Sequence, residues 1–220
     1  MTSHPHADQP VMTAGVPLER ARAAMLLTHG RGASAESILS LAAELAFPDM
    51  AYLAPQAAGY TWYPYSFLFP LAANEPGLTS GLRVLAGLVE RVEAAGISAE
   101  SLFLAGFSQG ACLALEFVAR HARRYAGVLA FSGGLIGPDD TPRAYAGSLA
   151  GTPIFLGCSD RDPHIPLARV QHSVAVLTRL GAQVTERIYP NFGHAVNQDE
   201  LDHARRLIAQ ALHNNAASPS

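Results

Sequence analysis

The chain has 220 residues and a formal charge of -3, and only 15% of its residues are charged. That share lies well under the roughly 25% of an average soluble protein, so much of the sequence is core or apolar pocket. The charge gives no electrostatic case for nucleic acid or anionic membranes, and no apolar run approaches the roughly 18 residues that span a bilayer. All fifteen basic residues are arginine, which excludes a Schiff-base lysine, a P-loop lysine and a Ser–Lys pair.

Taken in chain order, the polar segment Met1–Pro10 carries two histidines and two prolines and no apolar leader core, so residues 1–13 are expected to be flexible and the protein cytoplasmic. Residues 14–213 are expected to form one domain, and 214–220 a disordered tail. Strand candidates are Ala23–Thr28, Met50–Leu53, Leu102–Ala105, Gly127–Phe131, Pro153–Gly157 and Gln183–Tyr189. Helical spacing lies between them: Ile38, Leu41, Ala42 and Leu45; Leu78, Leu82, Leu85, Val89 and Val92; Leu167, Val170, Val174 and Leu177; Leu201, Ala204, Ile208 and Leu212. Ser34 is a candidate N-cap for the first helix, and Asn197 with Glu200 forms a box-like cap for the last. The alternation predicts an α/β fold, a mainly parallel sheet with helices on both faces and its site at the carboxyl ends of the strands.

Gly106-Phe107-Ser108-Gln109-Gly110 falls between a strand and the helical run Ala111–Phe117. A G-x-S-x-G in that setting reads as a nucleophile elbow, a sharp turn that lifts the serine hydroxyl above the sheet. A serine hydroxyl needs a base to accept its proton. The next strand ends supply an acid and a base in order: Asp160-Arg161-Asp162-Pro163 after Pro153–Gly157, and Gly193-His194 after Gln183–Tyr189. Asp162, stiffened by Pro163, is preferred as the acid; Asp160 is then left to pair with Arg161 or to cap the loop. The oxyanion needs two donors, and the backbone N–H groups of Gln109 and Arg31 suit that role.

Gly30-Arg31-Gly32-Ala33-Ser34-Ala35 also matches the dinucleotide fingerprint G-x-G-x-x-A. The second strand runs out into Leu53-Ala54-Pro55-Gln56 without the acidic residue that fingerprint requires, so no nicotinamide cofactor is expected. Cys112 and Cys158 are too few for a disulfide framework or a zinc cage, and no metal or other cofactor is expected. The segment Ala54–Glu75 is long and aromatic. Trp62, Phe67 and Leu68 are candidates for an apolar wall over the site, or for a satellite core beneath a long loop. The Arg31 side chain either attracts an anionic substrate group or is solvated while its N–H alone serves the site. Arg120, Arg123 and Arg124 suit the carboxyl end of the helix after the elbow.

On Thr28–Ala35, Gly106–Gly110, Asp162-Pro163-His164-Ile165-Pro166 and Gly193-His194, the chain resembles the phospholipase/carboxylesterase family of α/β-hydrolases. That group includes acyl-protein thioesterases and small bacterial carboxylesterases, with dienelactone hydrolase as a relative. The resemblance implies a single-domain fold with no large lid and a triad of Ser108, Asp162 and His194. It further implies oxyanion donors at Arg31 and Gln109, and a pocket-wall position at Ile165. It implies a small-molecule ester as partner, and it is compatible with a homodimer. The expected function is a serine carboxylesterase acting on short- to medium-chain esters. The alternatives are a lysophospholipase, an acyl-protein thioesterase, a dienelactone hydrolase-like enzyme, or a non-catalytic receptor on the same fold.

Overall fold

Seven strands form one sheet in a computed structural model that describes residues 4–45 and 47–217. They are β1 (Val11–Gly15), β2 (Ala23–Thr28), β3 (Met50–Pro55), β4 (Leu102–Phe107), β5 (Gly127–Phe131), β6 (Pro153–Ser159) and β7 (Gln183–Tyr189). The order across the sheet is β1-β3-β2-β4-β5-β6-β7. Every pairing is parallel except β1 with β3, which is antiparallel. The helices are α1 (Ala35–Glu44), α2 (Gly77–Ala94), α3 (Gln109–Arg120), α4 (Leu167–Arg179) and α5 (Gln198–Ala217).

The side-chain period of two divides the core between the two faces. Met25 and Leu27 of β2 join Ile38 and Leu41 of α1 and Ala204 and Ile208 of α5 on one side. Ala24 and Leu26 join Leu85 of α2, Leu113 of α3 and Leu177 of α4 on the other. Central strands buried on both faces read as continuous apolar runs, which is why β2 to β6 were visible without alternation. At the edge, β7 alternates exposed and half-buried residues.

Both helix caps take the expected form. The Ser34 side chain accepts from the Ser37 amide while the Ser37 hydroxyl accepts from the Ser34 amide. The Asn197 amide donates to Glu200 Oε2 (2.8 Å), and the Glu200 amide donates to Asn197 Oδ1 (2.9 Å).

The chain ends differ from expectation. Within the segment expected to be flexible, His6 is buried and Val11–Gly15 pairs with β3. The imidazole accepts from the Ala58 amide at Nδ1 (3.0 Å), which leaves Nε2–H to donate to Trp62 O (2.9 Å). At the other end α5 continues to Ala217 instead of fraying at 214; residues 1–3 and 218–220 lie outside the described residues. Among the described residues no helix is long and apolar enough to cross a membrane.

The arginines near the end of α3 are engaged structurally. Arg120 pairs with the buried Glu116 (2.7 Å), Arg123 with Glu93 (2.8 Å), and Arg124 donates to Ala150 O (2.9 Å).

Candidate active site

The link from β4 to α3 is a single residue. Ser108 occupies φ 56°, ψ -121°, a left-handed conformation that costs a non-glycine residue about 1–3 kcal/mol and persists only where its surroundings enforce it. Here they do. The Ser108 amide donates to Phe131 O (2.9 Å), and its carbonyl accepts from the Cys112 amide (3.0 Å). The flanking glycines permit the approach of the chain. A Cβ on Gly106 would stand 2.6 Å from the Gly110 carbonyl carbon, and one on Gly110 would overlap the Thr28 carbonyl. Thr28 Oγ1 closes the turn from below, lying 2.8 Å from Gly110 O and 3.1 Å from Ala105 O.

Three strand ends then converge. Ser108 Oγ lies 2.8 Å from His194 Nε2, and His194 Nδ1 lies 2.6 Å from Asp162 Oδ2. With Nδ1–H donated to the carboxylate, Nε2 is left to accept the serine proton. The Asp162 side chain is fully buried. Its Oδ1 accepts from the amides of His164 (2.8 Å) and Ile165 (3.0 Å). The Cys158 thiol stands 3.7 Å from Oδ2. Burial pushes the Asp162 carboxyl upward, but the hydrogen bonds from His194 and the two amides outweigh it and hold the group below the usual carboxylate range. The same environment pushes Cys158 up to about 12, through burial first and the Asp162 charge second, so it remains a thiol.

Asp160 takes the loop-capping role. Its Oδ1 accepts from the Asn191 amide (2.7 Å). Ser159 Oγ accepts from the amides of Phe192 and Gly193 (both 3.1 Å). These bonds fix the turn that carries His194. The ring is flanked by Phe107 and His164, each with its centroid 4.8 Å away.

The cleft over Ser108 has a volume of 730 Å³ and is lined by Arg31, Tyr63, Phe67, Gln109, Cys112 and Ile165, among others. Gln109 opens α3, so its amide has no intrahelical acceptor. The Arg31 amide has no protein acceptor among the described residues. Both residues line the chamber that holds Ser108.

Of the expected wall residues, Phe67 and Ile165 line the cleft. Trp62 does not: it is 0% exposed, in the core, with its indole N–H donating to His29 O (3.0 Å). Leu68 packs against that core and lies outside the lining. Tyr63 and Cys112 are lining residues that the sequence did not single out.

The segment from Ala57 to Ser66 carries no strand, so its main-chain groups need other partners. Polar side chains from several elements supply them. Gln109 Oε1 accepts from the Trp62 amide (2.9 Å) and its Nε2 donates to Tyr63 O (2.8 Å). The buried Asn74 accepts from the Tyr65 amide (2.9 Å) and donates to Ser66 O (3.0 Å). His29, fully buried, accepts at Nε2 from the Ala57 amide (3.1 Å). Arg31 reaches Thr61 Oγ1 (3.0 Å), Pro64 O (2.8 Å) and Tyr65 O (2.6 Å). The Arg31 guanidinium is therefore anchored, while the residue stays exposed to solvent. This strap roofs the cleft on one side.

A doubly covered parallel sheet with a serine at a strand–helix elbow, followed by an acid and a histidine at later strand ends, defines an α/β-hydrolase. The phospholipase/carboxylesterase family model matches residues 15–212, and the chain belongs to that family. The crystal structure of a phospholipase/carboxylesterase from Dyadobacter fermentans DSM 18053 superposes with a TM-score of 0.90. It is 42% identical, over 95% of this chain and 100% of that one. A probable carboxylesterase SOBER1-like of Arabidopsis thaliana is 24% identical over 216 residues, 90% of this chain and 82% of that protein. Acyl-protein thioesterase 1 of Gibberella zeae is 26% identical over 145 residues, 62% of this chain and 59% of that protein. The protein is accordingly a hydrolase of the esterase/thioesterase type.

Proposed function

We propose that the protein is a serine carboxylesterase that hydrolyses short- to medium-chain carboxylic esters through an acyl-enzyme. The observation that carries this reading is the unbroken relay Ser108 Oγ–His194 Nε2 (2.8 Å) and His194 Nδ1–Asp162 Oδ2 (2.6 Å) at the floor of an open cleft. Ser108 Oγ attacks the ester carbonyl as His194 takes its proton, and the carbonyl oxygen becomes an oxyanion held by the Arg31 and Gln109 amides. His194 gives the proton to the departing alcohol. It then takes one from water, whose oxygen attacks the acyl carbon, and returns it to Ser108 as the acid leaves. Asp162 holds the imidazole in the required tautomer and balances its charge.

The lining of the cleft supports the short- to medium-chain reading. Phe67 and Ile165, with the almost wholly buried Tyr63 and Cys112, border the cleft beside Ser108. Ser108→Ala is expected to lower turnover of p-nitrophenyl butyrate by about 10⁴-fold or more, and a fluorophosphonate probe should label the wild type at Ser108. Undiminished turnover in Ser108→Ala, or no label, would refute the serine mechanism.

A further inference from the structure

Arg31 brings a permanent positive charge to the cleft without a counter-ion. Its three hydrogen bonds all run to neutral oxygens, of Thr61, Pro64 and Tyr65. Among the described residues no carboxylate lies within 4.0 Å of it, whereas Arg120, Arg123, Arg143, Arg169 and Arg205 each have such a partner. A guanidinium has five N–H donors, so two remain after these three bonds. The lining of the cleft includes Arg31, His164 and His194, and neither Asp nor Glu. The nearby acid, Asp162, is buried behind His194 with its oxygens already engaged. The amino end of α3 adds a partial positive charge from the same side.

An exposed arginine free in water discriminates weakly, because an ion pair must order its long side chain. Here the strap has already done the ordering, and a bound anion meets a preorganised donor. We infer that the preferred esters of this enzyme are anionic, carrying a carboxylate that reaches the Arg31 guanidinium. The inference rests on the esterase reading above and narrows it. The carboxylate can sit on either the acyl or the alcohol arm, and the same chemistry serves both.

The test compares matched ester pairs in the full-length protein. The acyl-arm pair is the p-nitrophenyl monoester of glutaric acid against p-nitrophenyl valerate. The alcohol-arm pair is 4-acetoxybenzoate against its methyl ester. The quantity read is the ratio of kcat/KM, anionic over neutral, which cancels any loss common to both substrates. In one pair, Arg31→Gln is expected to lower this ratio by about tenfold. Arg31→Lys should keep the larger part of it, and the wild-type ratio should shrink between 20 mM and 500 mM salt, concentrations chosen to span a Debye length of about 20 to 4 Å. The responding pair identifies the arm. Equal losses on neutral and anionic esters in both pairs, the outcome if Arg31 only tethers the strap, would overturn the inference. A salt-independent wild-type ratio would do so as well, and needs no variant to fold. Turnover that disappears in Ser108→Ala while the ratios stay flat removes only the anionic preference; turnover that survives in Ser108→Ala removes the esterase reading itself.

Discussion

Gln109 holds the buried part of the strap, and Gln109→Leu removes that hold. The two side chains are close in volume and in helix propensity, so α3 and the backbone amide of residue 109 should persist. What disappears is the bond from the Trp62 amide, the bond to Tyr63 O and a longer bond from Thr61 Oγ1 (3.2 Å), the first two at buried residues. Tyr63 O keeps the Thr61 hydroxyl as a donor (3.0 Å), so the Trp62 amide is the buried group left unpaired, at a cost of about 1–3 kcal/mol. The strap can relieve part of that by lifting toward water, and this relief displaces Tyr63 and Phe67 from the lining of the cleft. The expected outcome is a fall in Tm of about 2–10 °C, from roughly 2–4 °C per kcal/mol in a chain of this size. Hexanoyl esters should lose more kcat/KM than acetyl esters, about fourfold for each methylene that loses its wall. Thermal unfolding and an acyl-length series of p-nitrophenyl esters measure both. An unchanged Tm with an unchanged hexanoyl-to-acetyl ratio would refute the claim that the Gln109 side chain holds the strap in place.

Two further perturbations bear on the site and its frame. Asp162→Asn should leave the fold intact, because Oδ1 can still accept from His164 and Ile165. It should lower kcat on p-nitrophenyl butyrate by about 10³–10⁴-fold through loss of the correct histidine tautomer; a loss under tenfold would remove Asp162 from the relay. Glu200 is 1% exposed, its Oε1 has no partner, and burial foremost, with the Asp199 charge, pushes its carboxyl from 4.5 up to about 7. The folded state thus holds this proton where the unfolded chain has released it, so stability falls as pH rises from about 4.5 to about 7, by at most about 3 kcal/mol. Glu200→Gln should remove that slope. The Tm difference, variant minus wild type, should therefore grow by about 5–10 °C between pH 5 and pH 8. Taking the difference separates Glu200 from the buried His6 and His29, whose burial-lowered pKa values act in the opposite direction. A constant difference across that range would show that Glu200 ionises normally.

The sheet and the convergence of Ser108, Asp162 and His194 were legible because they rest on local signals. The β2 to β6 cores are short apolar runs, and the three residues lie at strand ends in a fixed chain order. The first strand was missed because Val11–Gly15 is an exposed edge with little periodicity, and its partner β3 lies about forty residues away. The burial of His6 was invisible for a related reason. A histidine in a polar segment reads as solvated until Trp62 O and the Ala58 amide are brought to it by the fold. The strap shows the limit most clearly. Its aromatic composition announced apolar contact, yet which rings turn inward depends on side chains on α3, on the turns after β2 and before α2, and in the N-terminal segment. Trp62 and Tyr63 are both buried in the core, and of the two only Tyr63 also borders the cleft.

The anchors of the strap grip its main chain. Arg31, Gln109 and Asn74 bind carbonyls and amides from Trp62 to Ser66 and leave most of the side chains there unconstrained by these bonds. The segment is thus a mounting rail, with occupants that can be exchanged while the rail stays in register. Substitutions at Tyr65, Ser66 or Phe67 are the economical route to a different substrate range, because they alter the wall and spare the bonds that place it. Divergence within such a scaffold would then run through these positions ahead of the elbow, the relay or the sheet.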